Sequence, residues 1–183
     1  NFTDFNPLER LEEVTLRYVS SARELGNPDL ILLPGTKNTM GDLRWLRQSG
    51  LENAILKHAA AGGCVAGICG GYQMLGRSVS DPGGVEGGGS MAGLGLLPTE
   101  TVFFGEKTRT RVSGKFDACG GDFAPMAGAP FEGYEIHMGR TTHTGGGPIL
   151  SFRTLDGAAH TDGAAAGNVW GCYVHGIFDR AEC

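Results

Sequence analysis

Val65-Ala66-Gly67-Ile68-Cys69-Gly70-Gly71-Tyr72-Gln73-Met74-Leu75 is the stretch whose reading decides the fold. A short apolar strand runs into a thiol and leaves through two glycines into a helix. Gly67-Ile68-Cys69-Gly70-Gly71 has the logic of a G-x-S-x-G nucleophile elbow, with small neighbours letting the backbone turn sharply and expose the nucleophile. The helix opening after Cys69 would bring backbone N–H groups and the positive end of its dipole to the sulfur, favouring thiolate and stabilising an oxyanion formed during attack. The competing reading is a buried structural cysteine. Plain core packing does not require glycine on both sides of one.

Working outward, Asp29-Leu30-Ile31-Leu32-Leu33 is a continuous apolar run stopped by Pro34-Gly35, as expected of a strand buried on both faces of a parallel sheet. Thr39 with Asp42 three residues on predicts a capping box, and Met40, Leu43 and Leu46 recur at helical spacing until Gly50. A second helix follows, with Leu51, Ile55 and Ala59 as its buried stripe and Gly62-Gly63 as its end. The elbow strand comes next, then a short helix from Tyr72. Strand, helices, strand, helix is the α/β signature: a mostly parallel central sheet flanked by helices, with ligand-binding loops at the carboxyl ends of the strands.

Residues 82–95 are dominated by glycine, predicting a flexible loop that leads into a short strand at Leu94–Leu97. Thr101–Phe104, Arg109–Val112, Tyr134–Met138 and Ile149–Thr154 have β character, and Asn168–Val174 reads as the last strand. No G-x-G-x-x-G opens a helix after a strand and no G-x-x-x-x-G-K-[ST] occurs, so these nucleotide-binding patterns are excluded.

The 183 residues suffice for one domain with a proper core. No apolar run reaches membrane-spanning length and no secretory leader is visible. A formal charge of −5 with no Lys/Arg cluster argues against a nucleic-acid partner. Five cysteines, at 64, 69, 119, 172 and 183, form no C-x-x-C pair, which fits a reduced, cytoplasmic compartment. The chain opens at Asn1 without an initiator Met, and reads as a piece of a longer protein.

A cysteine nucleophile needs a base to make thiolate and an acid for the leaving group, and histidine can serve both. His58 falls on a helix and His160 in a polar loop. His175 is better placed, leaving the carboxyl end of the buried run Val169-Trp170-Gly171-Cys172-Tyr173-Val174 on the same sheet edge as Cys69. Glu135 and His137, two apart on a strand, share one face. With no third ligand at a suitable spacing, no metal site is expected there, and a hydrogen-bonded polar pair or a substrate or interface contact is the expectation. Cys64, Cys119, Cys172 and Cys183 lack the glycine-flanked turn and read as inert; Trp45 and Trp170 read as core or interface aromatics.

Four segments together carry a resemblance: Leu33-Pro34-Gly35-Thr36-Lys37-Asn38-Thr39, the elbow, Gly133-Tyr134-Glu135-Ile136-His137-Met138-Gly139 and Tyr173-Val174-His175-Gly176-Ile177-Phe178-Asp179. In this order, over almost the whole chain, they resemble the glutamine amidotransferase domain of the cobyric acid synthases. The resemblance implies a class I (flavodoxin-like) architecture over residues 1–183, whose first strand would precede Asn1. It also implies a glutaminase in which Cys69 attacks L-glutamine and His175 is the acid–base partner. The oxyanion would be held by the N–H of Gly70 and one from the Gly35 loop, and Gln73 would help bind substrate. Ammonia would pass to a synthetase domain of the same protein, not contained in this chain. There ATP and Mg²⁺ would drive amidation of a corrinoid acceptor, adenosylcobyrinic acid a,c-diamide, to cobyric acid; no cofactor is expected in this domain. A cobyrinic acid a,c-diamide synthase or a cell-wall amidating relative is the neighbouring reading within the family. A Cys-His peptidase or small-molecule hydrolase, or a non-catalytic regulatory domain, is the reading outside it.

Class I enzymes usually carry a Glu two residues after the catalytic His to orient the imidazole. This chain has Ile177 there, and the cobalamin branch is similar in lacking that Glu. Glu135, Asp179 or a backbone carbonyl are then the candidate orienting groups, and a missing one should weaken the base.

Overall fold

The computed structural model describes residues 3–117 and 119–179; Cys183, read above as inert, lies outside them. After a 3₁₀ turn at Thr3–Phe5 and a four-residue helix α1 (Ala22–Leu25), the first sheet is laid down around the elbow. Strands β1 (Leu30–Leu33) and β2 (Cys64–Ile68) are parallel neighbours, with Leu33 in register with Gly67. The strand order is β1-β2-β10-β9, where β10 (Val169–Cys172) is parallel to β2 and β9 (Ala164–Ala166) caps the edge antiparallel. Val65, Ala66 and Ile68 are all buried, as the unbroken apolar run required.

Helices α2 (Thr39–Gln48) and α3 (Leu51–Ala60) connect β1 to β2, with Met40, Leu43, Leu46, Leu51 and Ile55 buried. The cap of α2 is one residue earlier than the sequence suggested: Asn38 accepts from the Gly41 N–H at 2.6 Å. The Thr39 hydroxyl instead donates to Gln73 Oε1 at 2.8 Å. The asparagine wins because its longer side chain reaches the N3 amide while the threonine has a buried partner to satisfy. The helix after the elbow, α4 (Gly70–Leu75), begins two residues before the expected Tyr72. A Cβ on Gly71 would lie 2.1 Å from the Leu33 carbonyl oxygen, so the glycine is what lets α4 sit on β1.

A second, largely antiparallel sheet of six strands packs beside the first. Its path is β4-β3-β5-β7-β8, with β6 also paired to β5. The expected open loop at 82–95 is a hairpin formed by β3 (Ser78–Asp81) and β4 (Gly89–Ala92). Leu94–Leu97 is not a strand; the Leu94 and Leu96 N–H groups close off the end of α4 by donating to Met74 and Leu75 carbonyls. Two expected strands merge into one long β5 (Thr99–Phe116), paired with β6 (Pro130–His143) through a register shift between Val102 and Lys107. Strand β7 (Leu150–Thr154) follows expectation, while β8 (Ala159–Asp162) falls where a polar loop was read.

The two sheets meet beside the elbow. Tyr134 of β6 and His175 exchange backbone hydrogen bonds of 3.1 and 2.8 Å, and Trp170 of β10 meets Phe116 of β5 edge to face at 5.6 Å. Trp45, by contrast, is exposed on α2. None of the helices among the described residues is long and apolar enough to cross a membrane.

Candidate active site

Cys69 has φ 54° and ψ −108° and is the one non-glycine residue with positive φ among those described. A conformation of that kind costs on the order of 1–3 kcal/mol, so the surrounding structure has to impose it. It does so from both ends: the Cys69 N–H donates to the Cys172 carbonyl on β10 at 2.8 Å, and its own carbonyl accepts from Gln73 N–H at 3.0 Å. The sulfur is thereby set at the carboxyl end of β2, 3.8 Å from the Ile136 carbonyl on β6. The Gly70 N–H, first in its helix, has no intrahelical acceptor.

His175 is brought to the same place from β10. A Cβ on Gly35 would come within 2.8 Å of His175 Cε1 and 3.5 Å of Cys69 Cβ, so the β1 loop lies against both residues and only glycine fits. The next residue of that loop packs on the elbow: a Cβ on Gly70 would fall 3.0 Å from the Thr36 backbone nitrogen. Cys69, His175, Gly35 and Gly70 thus converge, as the sequence led one to expect of a reactive site. The Tyr134 ring, not anticipated, stacks on the imidazole at 5.1 Å and 18°.

The group at His175 Nδ1 is none of the anticipated ones. It is Asp4, whose Oδ2 accepts from Nδ1 at 2.8 Å while Oδ1 accepts from the Gly176 N–H at 3.0 Å. Asp4 and His175 are each 3% exposed. Burial by itself would lower the imidazolium pKa, but the hydrogen bonds to Asp4 and Cys69 and the charges of both outweigh it and raise His175 to about 9. Asp179 is exposed, and its backbone N–H donates to the Gly176 carbonyl. Glu135 sits elsewhere, so neither residue is the orienting group.

Glu135 and His137 do share a face, as predicted. They line a cavity of about 640 Å³ with Asp162, Tyr173, Thr108 and Thr110, and neither Cys69 nor His175 lines it. His137 stacks on Tyr173 at 3.6 Å and 14°. Burial, with Asp162 nearby, pushes Glu135 up to about 7, and burial pushes His137 down to about 4. Among the described residues no group of three or more His, Cys, Asp or Glu is arranged to hold a metal ion.

Gln73 is buried behind the nucleophile. Its Oε1 accepts from Thr39, and its Nε2 donates to the Met138 carbonyl and the Tyr173 hydroxyl, each at 3.1 Å. These contacts brace the elbow helix against β6 and the end of β10. The remaining described thiols are unreactive by environment. Burial raises Cys172 well above the ordinary thiol value and Cys119 to about 11, and burial followed by Asp122 raises Cys64. His58 Nε2 is bonded to the Cys64 carbonyl and His160 is exposed, so neither competes with His175.

Comparison with known proteins gives the family of the chain. The whole chain, residues 1–183, matches the family model described as the CobB/CobQ-like glutamine amidotransferase domain. It is 55% identical to a cobyric acid synthase of Ruminiclostridium cellulolyticum, covering 100% of this chain and 36% of that protein. It is 50% identical to a cobyric acid synthase of Moorella thermoacetica, covering 98% of this chain and 36% of that protein. The chain thus spans about a third of the length of these relatives. Among solved structures, a glutamine amidotransferase matches with a TM-score of 0.68 at 19% identity, covering 100% of this chain and 88% of that one, which shows a shared fold. The chain belongs to the CobB/CobQ-like glutamine amidotransferase domain family.

Proposed function

We propose that this domain hydrolyses L-glutamine and supplies the ammonia to a synthetase domain of the same protein. That domain would use ATP and Mg²⁺ to amidate corrinoid carboxylates, converting adenosylcobyrinic acid a,c-diamide to cobyric acid in the cytoplasm. The observation that carries the reading is the strained Cys69 set beside His175 against the Gly35 loop.

The Cys69 sulfur, as thiolate, attacks the side-chain amide carbon of glutamine. The resulting oxyanion is held by the Gly70 N–H and one from the Gly35 loop. The protonated His175 gives its proton to the leaving nitrogen, ammonia departs and a thioester remains. The now neutral imidazole takes a proton from water as it attacks the thioester, glutamate leaves, and thiolate and imidazolium are restored. Glu135 and His137 stand one strand away, on the cavity side of β6.

The test is Cys69→Ala in the full-length protein. Amidation driven by glutamine should be lost while amidation driven by added ammonium salt persists at the parental rate. Loss of both activities would make Cys69 a structural residue and end the proposal.

A further inference from the structure

The group that holds His175 comes from 171 residues earlier in the sequence, on a 3₁₀ turn docked against the His175–Gly176 backbone. We propose that the 3₁₀ turn Thr3–Phe5 is a clasp: through Asp4 it supplies the third arm of the site, and whether it is docked sets whether the site can turn over. The proposal rests on the glutaminase reading for its activity readout.

Three observations carry it. First, Asp4 engages two consecutive residues, with one carboxylate oxygen on His175 Nδ1 and the other on the Gly176 N–H. A carboxylate on Nδ1 keeps the proton there, so that Nε2 is the nitrogen presented to Cys69. The second bond fixes the backbone turn at Gly176, where φ is +75°, and with it the direction in which the imidazole leaves the chain. Second, Asp4 is the acidic group found at Nδ1. Glu135 lines the separate cavity and Asp179 is exposed, so no other described carboxylate substitutes for it.

Third, the attachment is local. Phe5 is buried against Phe178 at a ring separation of 6.3 Å. The backbone hydrogen bonds donated by Asn6, Arg10, Leu11 and Val14 all run within the segment itself. Residues 11–20 then continue without helix or strand, and most are exposed. Asp4 and Phe5 fasten the turn to the residues around His175, while Leu8, Leu16 and Val19 pack the stretch that follows against the core. When the turn opens, His175 loses its tautomer restraint and the charge that favours its cationic form.

Asp4 is a positioning residue, and the test separates that role from a structural one. In the full-length protein, Asp4→Asn should lower the glutaminase kcat on the order of 10²–10⁴-fold with KM within threefold, and Asp4→Glu should recover part of the loss. Phe5→Ala, which leaves the Asp4 side chain intact, should speed hydrogen exchange at the Gly176 amide and lower kcat as the docked fraction falls. Independently of activity, NMR titration of His175 in the unsubstituted protein should show it protonated beyond pH 8, and Asp4→Asn should bring its titration below pH 7. The clasp is overturned if Asp4→Asn keeps kcat within threefold, if Phe5→Ala leaves both Gly176 exchange and kcat unchanged, or if His175 titrates below pH 7 in the unsubstituted protein. If the unsubstituted protein releases no ammonia from glutamine, the glutaminase reading fails instead, and the Gly176 exchange and His175 titration still decide the clasp.

Discussion

At the scale of single residues, environment assigns opposite tasks to similar groups. His175 is buried and His137 half-buried, yet one is raised to about 9 and the other lowered to about 4, because of the two only His175 has a carboxylate on its ring. Glu135 and Asp4 are both buried carboxyls, but Asp4 has two donors and Glu135 faces a cavity with Asp162 as neighbour. An acid whose folded pKa is raised from 4.5 to about 7 stabilises the fold fully below pH 4.5 and loses that contribution as pH rises through 7. Asp162, raised to about 6 chiefly by burial, shares the lower part of that window, and His175 acts above it, from its ordinary value up to about 9. Glu135→Gln should therefore narrow the stability difference between pH 4.5 and 7.5, on the order of 1–3 kcal/mol, in urea unfolding curves. An equal difference in both proteins would mean that Glu135 is solvated. The turn at Cys69 was legible because glycines flank it, and the place of His175 at the same sheet edge because it ends the buried run Val169–Val174. Asp4 was not, because 171 residues separate it from its partner and nothing in Thr3-Asp4-Phe5 marks it.

At the scale of elements, legibility followed burial. The strands β1, β2 and β10, with the helices α2 and α3, were read to within a residue or two because buried faces force an apolar pattern. The gap between the two expected strands, Gly105-Glu106-Lys107-Thr108, is exposed and carries no apolar signal, so the continuity of Thr101–Phe104 with Arg109–Val112 could not be seen. The glycine-rich hairpin shows a different failure. Composition suggested a flexible loop, but the buried Asp81 organises it, accepting from Val85, Glu86 and Gly88 N–H groups at 2.8, 2.6 and 2.9 Å. So placed, Glu86 accepts from the Met40 N–H at 3.0 Å at the start of α2, close to the Gly35 loop. Burial opposes the Asp81 charge, but the backbone donors prevail and lower its pKa. Asp81→Asn keeps the shape and removes the charge. It should accelerate hydrogen exchange at Val85, Glu86, Gly88 and Met40 by at least tenfold, with the β5–β6 ladder unchanged. Unchanged exchange at Val85 and Met40 would show that the glycine-rich loop is held by something other than Asp81.

At the scale of the whole molecule, the site exists because two sheets of different character meet at one corner. The parallel sheet brings Cys69 and His175 to its carboxyl edge, and the antiparallel sheet closes over them with Tyr134 and Ile136 of β6. The joint that keeps this corner shut is aromatic. Trp170 on β10 contacts Phe116 of β5 at 5.6 Å, Phe123 at 6.0 Å and Phe178 at 6.2 Å, all tilted or edge to face. Phe178 in turn packs on Phe5, so the same cluster reaches from the sheet joint to the Asp4 turn. The indole Nε1 is buried with no hydrogen-bond partner among the described residues, so part of what the large ring contributes is offset by an unsatisfied donor. Trp170→Ala should then cost about 3–5 kcal/mol through the cavity it opens between the sheets. Trp170→Phe removes the orphan N–H together with some volume, and should cost under about 1.5 kcal/mol. Urea unfolding followed by circular dichroism measures both, and a Phe variant as damaged as the Ala variant would show that the indole N–H is satisfied in solution. Since Phe178 links the joint to the turn that carries Asp4, the Ala variant should also lose glutamine hydrolysis under conditions where its sheets remain folded, a loss the Phe variant should largely escape.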